Sequence, residues 1–409
     1  MNPHAAPSPA AAAARLTACP NCLGGAPLDR IYEIEGIPAH TCLLMPTRQE
    51  ALDFPLGGLD LAFCNACGFV FNAAFQEGLL RYGEQYEETQ GFSPTFNAFA
   101  RQLAGALVDR YALRGKRVLE IGCGKGEFVA LMCELGMAGG IGIDPAYIPG
   151  RLTQPGADRV EFIRDFYGPK YTHLHADLVL CRHTLEHIAP TLEFMRMVRA
   201  SIGDRPETLV VFELPDVVRV LREGAFWDVY HEHCTYFSPG SLARVFRLAG
   251  FDVTDLWEEY DGQYLLIAAR PAPAGRPGSG GPLPLEEPPA QLRPAAVGFG
   301  PRVAAVVDRW RAWLAEGARK KKRTVVWGSG SKGVSFLMTV KAHDAVDCVV
   351  DVNPHKRGRF MPGSGHEIVG PQDLRDRAPE RVVVMNPIYI PEITRDLEKM
   401  GMRPEVVAV

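Results

Sequence analysis

Residues 230–238, YHEHCTYFS, bring Tyr230, His231, Glu232, His233 and Tyr236 into one short stretch. Histidine titrates nearest neutral pH and can take a proton, and tyrosine or a protonated imidazole can donate to a developing oxyanion. A carbon that must be deprotonated before it reacts, because it carries no lone pair, calls for this equipment. At least one of the two histidines is therefore a candidate base, whereas Tyr236 and Phe237 also read as core. Cys19 with Cys22, and Cys64 with Cys67, form two C-x-x-C pairs. Each pair can turn two thiolates toward one ion, and together they complete the closed tetrahedral shell of a structural zinc, with no position left for water or substrate. A third run, VLEIGCGKGEF, sets Glu120, Gly122, Gly124 and Gly126 where a strand gives way to a helix. Backbone N–H groups and a helix start can meet a ligand there.

The elements that must position these residues read as α/β. Short apolar runs, RVLEIG, GGIGID, VEFI, DLVLC and TLVVFEL, alternate with loops and helical patterns, and the rhythm returns in RTVVWGSG, VDCVVDV and ERVVVMN. Such spacing predicts parallel sheets covered on both faces, here two doubly wound units. Between Arg270 and Gln291 the Pro and Gly content of RPAPAGRPGSGGPLPLEEPPAQ predicts neither helix nor central strand. The expected organisation is a disordered Ala/Pro tail over 1–15, a zinc-binding head over 16–80, a nucleotide-shaped domain over 81–270, a Pro/Gly linker over 271–298 and a second Rossmann-like domain over 299–409. The head is too small to be stable on apolar burial alone and needs its metal.

At 409 residues, 47% hydrophobic and 22% charged, the chain can bury several cores. A net charge of -4 offers no field for a nucleic-acid polymer, and no apolar run is long enough for a bilayer. Without an evident export signal, the ten cysteines read as thiols or metal ligands rather than as disulfides, and the expected location is the cytoplasm.

The acid-Gly-x-Gly-x-Gly order at Glu120–Gly126 resembles the donor loop of class I S-adenosylmethionine methyltransferases, and a dinucleotide site would space its glycines differently. Asp144, closing GGIGID, stands where a carboxylate can accept both ribose hydroxyls. Asp165, after VEFIR, is either an acid near the adenine or an exposed loop carboxylate. His183, Glu186 and His187 match the inverted zinc-protease pattern H-x-x-E-H. Their place after a doubly wound strand argues instead that His187 borders a reaction site. Gly328, Gly330 and Gly333 in WGSGSKG, with Asp351 at the end of the next strand, read alone as a dinucleotide fingerprint. Lys332, Lys356, Arg357 and Arg359 could add charge near it.

Taken together, the four-cysteine head with FPLGGLDLAFCNACGFVFN, then YEETQGFSPTF, the donor loop, YHEHCTYFS, VVWGSGSKG and VVDVNPHKRGRFMPG resemble the three-part sugar C-methyltransferases of nucleotide-linked 4-keto-deoxysugars. The match runs from Cys19 to about Tyr389. Glu186 departs from it, since sugar enzymes commonly carry Ala there. The resemblance implies that His233 takes the proton from carbon 3 beside the C4 ketone. It implies that Tyr230, Glu232 and His187 orient the sugar and stabilise the enolate, that Tyr86 closes over it, and that the loop of Gly328, Gly330, Lys332 and Gly333 holds the nucleotide-sugar diphosphate. No catalytic metal is needed in that scheme. Two other classes fit less of the sequence: an O-methyltransferase on a sugar or other small molecule, and a non-catalytic nucleotide-binding scaffold, which would leave the histidine cluster without purpose.

Overall fold

The computed structural model describes residues 15–22, 25–273 and 275–409. The expected tail falls almost wholly on residues 1–14, outside the described residues. Three sheets carry the fold.

The largest sheet orders Phe251–Glu259, Tyr264–Pro271, Leu209–Pro215, Leu178–Arg182, Arg117–Ile121, Gly139–Ile143 and Val160–Ile163. Its strands pair in parallel except Tyr264–Pro271, which runs antiparallel to both neighbours. All five apolar runs read as strands in this part of the sequence are strands of this sheet. Strand order reverses between Arg117–Ile121 and Leu178–Arg182, and in such sheets a crevice opens at the carboxyl ends of the two strands that part. Helix Pro94–Arg110 packs beside them. Ser93 caps it, accepting from Phe96 N at 3.3 Å, Pro94 fills the first turn, and Ala100, Leu103, Ala104, Leu107 and Val108 give the buried stripe at helical spacing.

A five-stranded parallel sheet orders Ile368–Val369, Val349–Val350, Thr324–Trp327, Arg381–Val384 and Glu405–Ala408. It has the same kind of reversal, next to Thr324–Trp327. Helix Ser331–Val340 follows that strand and is buried along nearly its whole length.

The third sheet belongs to the head and has four strands: Leu28–Pro38, Leu56–Cys64, Val70–Asn72 and Thr235–Tyr236. The last comes from the histidine stretch. Tyr236 pairs with Val70 and Thr235 with Phe71, antiparallel. The head therefore does not stand alone. Its Ala62, Phe69 and Phe71 share one apolar cluster with Phe237 and with Leu242 and Phe246 of the following helix, Pro239–Leu248. The burial that its short sequence lacks is supplied by the neighbouring layer.

The Pro/Gly stretch departs from expectation. A helix spans Pro289–Val297, because prolines at the helix entrance satisfy a φ that the first turn needs anyway. Only Pro294 interrupts its interior, and Leu292 and Ala296 are buried beneath it. The stretch before it is also anchored. Glu287 accepts from Ser238 Oγ at 2.5 Å and Gly240 N at 3.1 Å, which places a carboxylate on the start of helix Pro239–Leu248.

Gly57 shows how closely the head approaches the histidine stretch. A Cβ built there would sit 2.5 Å from His231 Nδ1, and that ring is held by Gly58 O at 2.9 Å and Gln76 N at 3.4 Å. Gly57→Ala is expected to lower stability by about 1–3 kcal/mol through overpacking against a fixed ring. Urea unfolding measures it, and an unchanged midpoint would show that the ring yields freely.

Candidate active site

One cleft of about 1580 Å³ receives residues from all three sheets and their connections. Small-molecule pockets commonly run to roughly 300–1,000 Å³, so this one has room for two ligands side by side.

Its first end is the glycine loop. Gly122, Gly124 and Gly126 have φ of 71°, 56° and 90°, a region that L side chains rarely enter. A Cβ on Gly122 would collide with the Thr184 side chain, and one on Gly126 with the Phe162 ring. Asp144 accepts from Gly124 N at 2.9 Å through Oδ2 and from Ala146 N at 2.6 Å through Oδ1, so it shapes the loop as well as facing the cleft. Glu120 is buried, and that burial pushes its carboxyl up to about 8 despite the nearby Arg182. Asp165 lies at the surface, bonded to Lys170 and, at 2.7 Å, to Tyr171 Oη, and these hold its carboxyl down to about 2. Beside it Phe166 is 59% exposed and lines the cleft, a flat apolar face that sequence reasoning passed over.

The second end surrounds His187 and His233, whose rings stand perpendicular with centroids 4.6 Å apart. His187 follows strand Leu178–Arg182 in a short turn, and its Nδ1 lies 2.9 Å from Tyr82 Oη and 3.1 Å from Glu232 O. Burial, and then His187, lower the His233 pKa to about 3, so the imidazole is neutral at physiological pH with a lone pair available. Tyr230 packs on His233 at 4.5 Å and donates to Asp228 Oδ1 at 3.2 Å. Tyr86 lines the cleft next to Tyr82, their centroids 5.2 Å apart.

Two members of the histidine stretch face elsewhere. Glu232 does not line the cleft. It lies 2.5 Å from His40 Nδ1 and accepts from Thr41 N at 3.1 Å; burial alone would raise its carboxyl, but His40 and Thr41 bring it down to about 2. His231 is turned into the head against Phe75, with centroids 5.5 Å apart. The chain turns at His231–Glu232 instead of continuing extended, and this turn separates His231 from His233.

The protease-like spacing at His183 does not assemble as such. His183, at φ 46°, sits 3.1 Å from Glu213 Oε1 and 3.6 Å from Glu186 Oε1. Burial opposes its charge, yet the two carboxylates push its pKa up to about 9.

The third contributor is the loop after Thr324–Trp327. Gly328 has φ 118°, and a Cβ on Gly333 would strike Gly328 O. Gly328, Gly330, Lys332 and Gly333 all line the cleft. Lys332 is paired with Asp228, which also holds Arg219, while Lys356 Nζ stands 3.7 Å from Asp351 Oδ2. Arg357 pairs with Asp373 instead, and neither it nor Arg359 reaches the cleft.

Sequence reasoning missed the residues that lock these ends together. Arg151 grips Glu87 with two bonds of 2.6 and 2.7 Å, and Asn353 donates to the same carboxylate at 2.7 Å. Lys125, only 1% exposed, donates to Tyr86 O at 2.6 Å and lies 3.1 Å from Glu88. Burial pushes the Glu88 carboxyl up to about 7. Their partners are too distant in sequence for spacing to reveal them.

A seven-stranded sheet of this order, with a glycine loop and an acid on successive strand ends, defines an S-adenosylmethionine-dependent methyltransferase, and the residues at the loop fit that donor. Residues 96–256 match the methyltransferase domain family, and residues 292–404 match the C-methyltransferase C-terminal domain family. The chain is 26% identical over 353 residues to C-methyltransferase NovU of Streptomyces niveus, covering 82% of this chain and 81% of that protein. The two matched domains and this likeness make the chain an S-adenosylmethionine-dependent C-methyltransferase. Among solved structures it overlaps the 1,6-didemethyltoxoflavin-N1-methyltransferase of Burkholderia thailandensis, at 18% identity, 50% of this chain, 96% of that chain and TM-score 0.32. It also overlaps the dimethyltransferase RosA of Streptomyces davawensis, at 19%, 43%, 54% and 0.34. Among the described residues no helix is long and apolar enough to cross a membrane.

Asp144→Ala removes both the acceptor that shapes the loop and the one facing the cleft. Donor binding is expected to weaken by about 1.5–3 kcal/mol, the scale of hydrogen bonds to a charged group. Calorimetry with S-adenosylmethionine measures it, and unchanged affinity would place the ribose contact elsewhere.

Proposed function

We propose that this C-methyltransferase acts on carbon 3 of a nucleotide-linked 4-keto-deoxysugar, and that His233 removes the proton from that carbon. The observation that carries the reading is a single cleft lined by the donor loop, by His187, His233 and Tyr230, and by the glycine loop of Gly328–Gly333. A nucleotide diphosphate needs backbone N–H groups and a helix start, which helix Ser331–Val340 offers. A ketone needs donors near its oxygen, and Tyr82 and Tyr86 carry hydroxyls whose protons stay on throughout the physiological range, since burial raises both, while the Tyr230 proton is already given to Asp228.

S-adenosylmethionine supplies a methyl group on a positive sulfonium. His233 receives the carbon-bound proton on a ring nitrogen, and the imidazolium so formed is stabilised by Glu186, a buried carboxylate whose charge that ring feels. Tyr82 orients His187 through the 2.9 Å contact, and Asp228 holds the Tyr230 hydroxyl. Glu232 acts indirectly by tying the turn to His40 and Thr41 of the head. The segment Tyr86–Glu88, held by Lys125, Arg151 and Asn353, closes the cleft and keeps water from the charged intermediate.

The four head thiols are read as a structural zinc site. Cys19 and Cys67 Sγ lie 3.7 Å apart, as do those of Cys22 and Cys64. Sulfurs at the corners of a tetrahedron with bonds of about 2.3 Å would be about 3.8 Å apart, which those two edges match, and all four thiols lie within 4.8 Å of one another. Cys64→Ser is expected to lower bound zinc from stoichiometric to a minor fraction and to expose the head to protease, because an incomplete shell loses much of the metal's folding free energy. Full zinc occupancy in that variant, measured by mass spectrometry of the metal, would reject the ligand set.

For the base, solvent deuterium exchange at the sugar's α-carbon isolates proton removal from methyl transfer. His233→Ala should slow it by about 100-fold or more with donor affinity retained, whereas His231→Ala, facing the head, should affect stability more than exchange. Wild-type exchange in His233→Ala would clear His233 of the role.

A further inference from the structure

The cleft holds a second constellation with metal-binding chemistry. One carboxylate oxygen of Glu186 and one ring nitrogen each of His187 and His233 lie within 4.8 Å of one another. Glu186 is 2% exposed. Its Oε1 is 3.6 Å from His183, while its Oε2 is buried with no partner among the described residues. A buried carboxylate oxygen without a donor is destabilising unless something fills its place. His187 Nδ1 is taken up by the Tyr82 hydroxyl at 2.9 Å and the Glu232 carbonyl at 3.1 Å, which leaves Nε2 as the nitrogen for an ion; in the tautomer in which Nδ1 donates to the carbonyl, the lone pair is on Nε2. A backbone carbonyl behind one imidazole nitrogen is the usual support for metal ligation through the other.

We propose that Glu186, His187 and His233 form a second cation site, a two-histidine, one-carboxylate set for a borderline divalent transition-metal ion. A cation held there stops proton removal by occupying the His233 lone pair. Imidazole pairs favour zinc, cobalt or nickel over magnesium or calcium. Ligand atoms around bonds of about 2.0–2.2 Å stand roughly 3–3.5 Å apart, so closure by roughly 1 Å through side-chain torsions completes the site. Three ligands leave coordination positions open toward the cleft, unlike the closed four-thiolate head. The set shares no residue with those thiols, and sulfur is absent from it. The binding half of the proposal stands on this geometry alone; the inhibitory half rests on His233 being the base.

Cobalt(II) titration of the full chain separates the two sites. Cobalt on thiolates gives intense sulfur-to-metal charge transfer, and cobalt on imidazole and carboxylate gives only weak visible bands. The wild-type chain is expected to take up one cobalt with the thiolate signature and then a second without it. Glu186→Gln, which keeps the side-chain volume, should weaken the second event by at least about 100-fold, more than the loss of an outer support, and leave the first unchanged. His187→Asn should do the same, so that misfolding of one variant does not decide the matter. Uptake at the thiols alone, or a second event of equal affinity in Glu186→Gln, overturns the site. α-Carbon exchange in wild-type protein should fall in proportion to the second cobalt bound, and exchange at full rate with that ion in place overturns the inhibition. Retained exchange in His233→Ala would remove the base assignment while leaving the cobalt stoichiometry standing.

Discussion

The pairing of Thr235 and Tyr236 with Phe71 and Val70 is the contact on which the rest of the cleft depends. It makes a segment that follows strand Leu209–Pro215 and helix Val217–Glu223 the last strand of a different sheet. Tyr236 Oη then bonds both Tyr230 N and Tyr230 O, at 3.1 and 3.0 Å, and closes the stretch into a loop of one shape. His233 is carried to the cleft by that closure. Cys64 and Cys67 flank the turn that leads into Val70–Asn72, the strand on which Thr235 and Tyr236 pair, and Arg244 of the next helix donates to Cys67 O at 2.9 Å, so whatever orders that knuckle also orders the segment carrying His233.

Around this pairing the buried charges are distributed as ties between layers. Glu232 reaches His40, Lys332 reaches Asp228, and Glu87 is shared by Arg151 and Asn353. Each tie has one partner near the donor loop or histidine stretch and the other in the head or the C-terminal sheet. Removing one partner of such a pair strands the other without water, which commonly costs about 3–5 kcal/mol. The arrangement is therefore intolerant of relative shifts among the layers, and a cleft assembled from distant segments can keep reacting groups in register. The dryness that keeps His233 uncharged would by itself neutralise Glu186 as well; His183, with the two cleft histidines, outweighs it and holds that carboxyl below its ordinary range.

Much of the architecture was legible in the chain itself. Apolar runs bounded by glycine loops became the strands of two doubly wound sheets, since such strands are buried on both faces and leave a continuous apolar signal. The two C-x-x-C pairs converged because each knuckle is local and only their meeting is not. The helix at Pro289–Val297 was hidden by its prolines, which end a helix in its interior but suit its entrance. Tyr82, His40, Asp228 and Lys125 carried no signal, as a lone tyrosine or lysine says nothing until its partner is beside it.

Sequence by itself therefore determined the parallel strands of the two doubly wound sheets, the glycine-rich donor loop, the thiol quartet and the presence of a proton-handling cluster. All of these are written in residue types at short spacing, where local geometry decides. Only the tertiary structure decided which members of YHEHCTYFS share the cleft. A turn at His231–Glu232 sends His231 and Glu232 into the head and leaves His233 between His187 and Tyr230 in the cleft. That division depends on Gly58, Gln76, His40 and Thr41, residues far away in the chain, and on the burial they create. Pairing across such distances depends on how all the layers pack together, which no local spacing encodes.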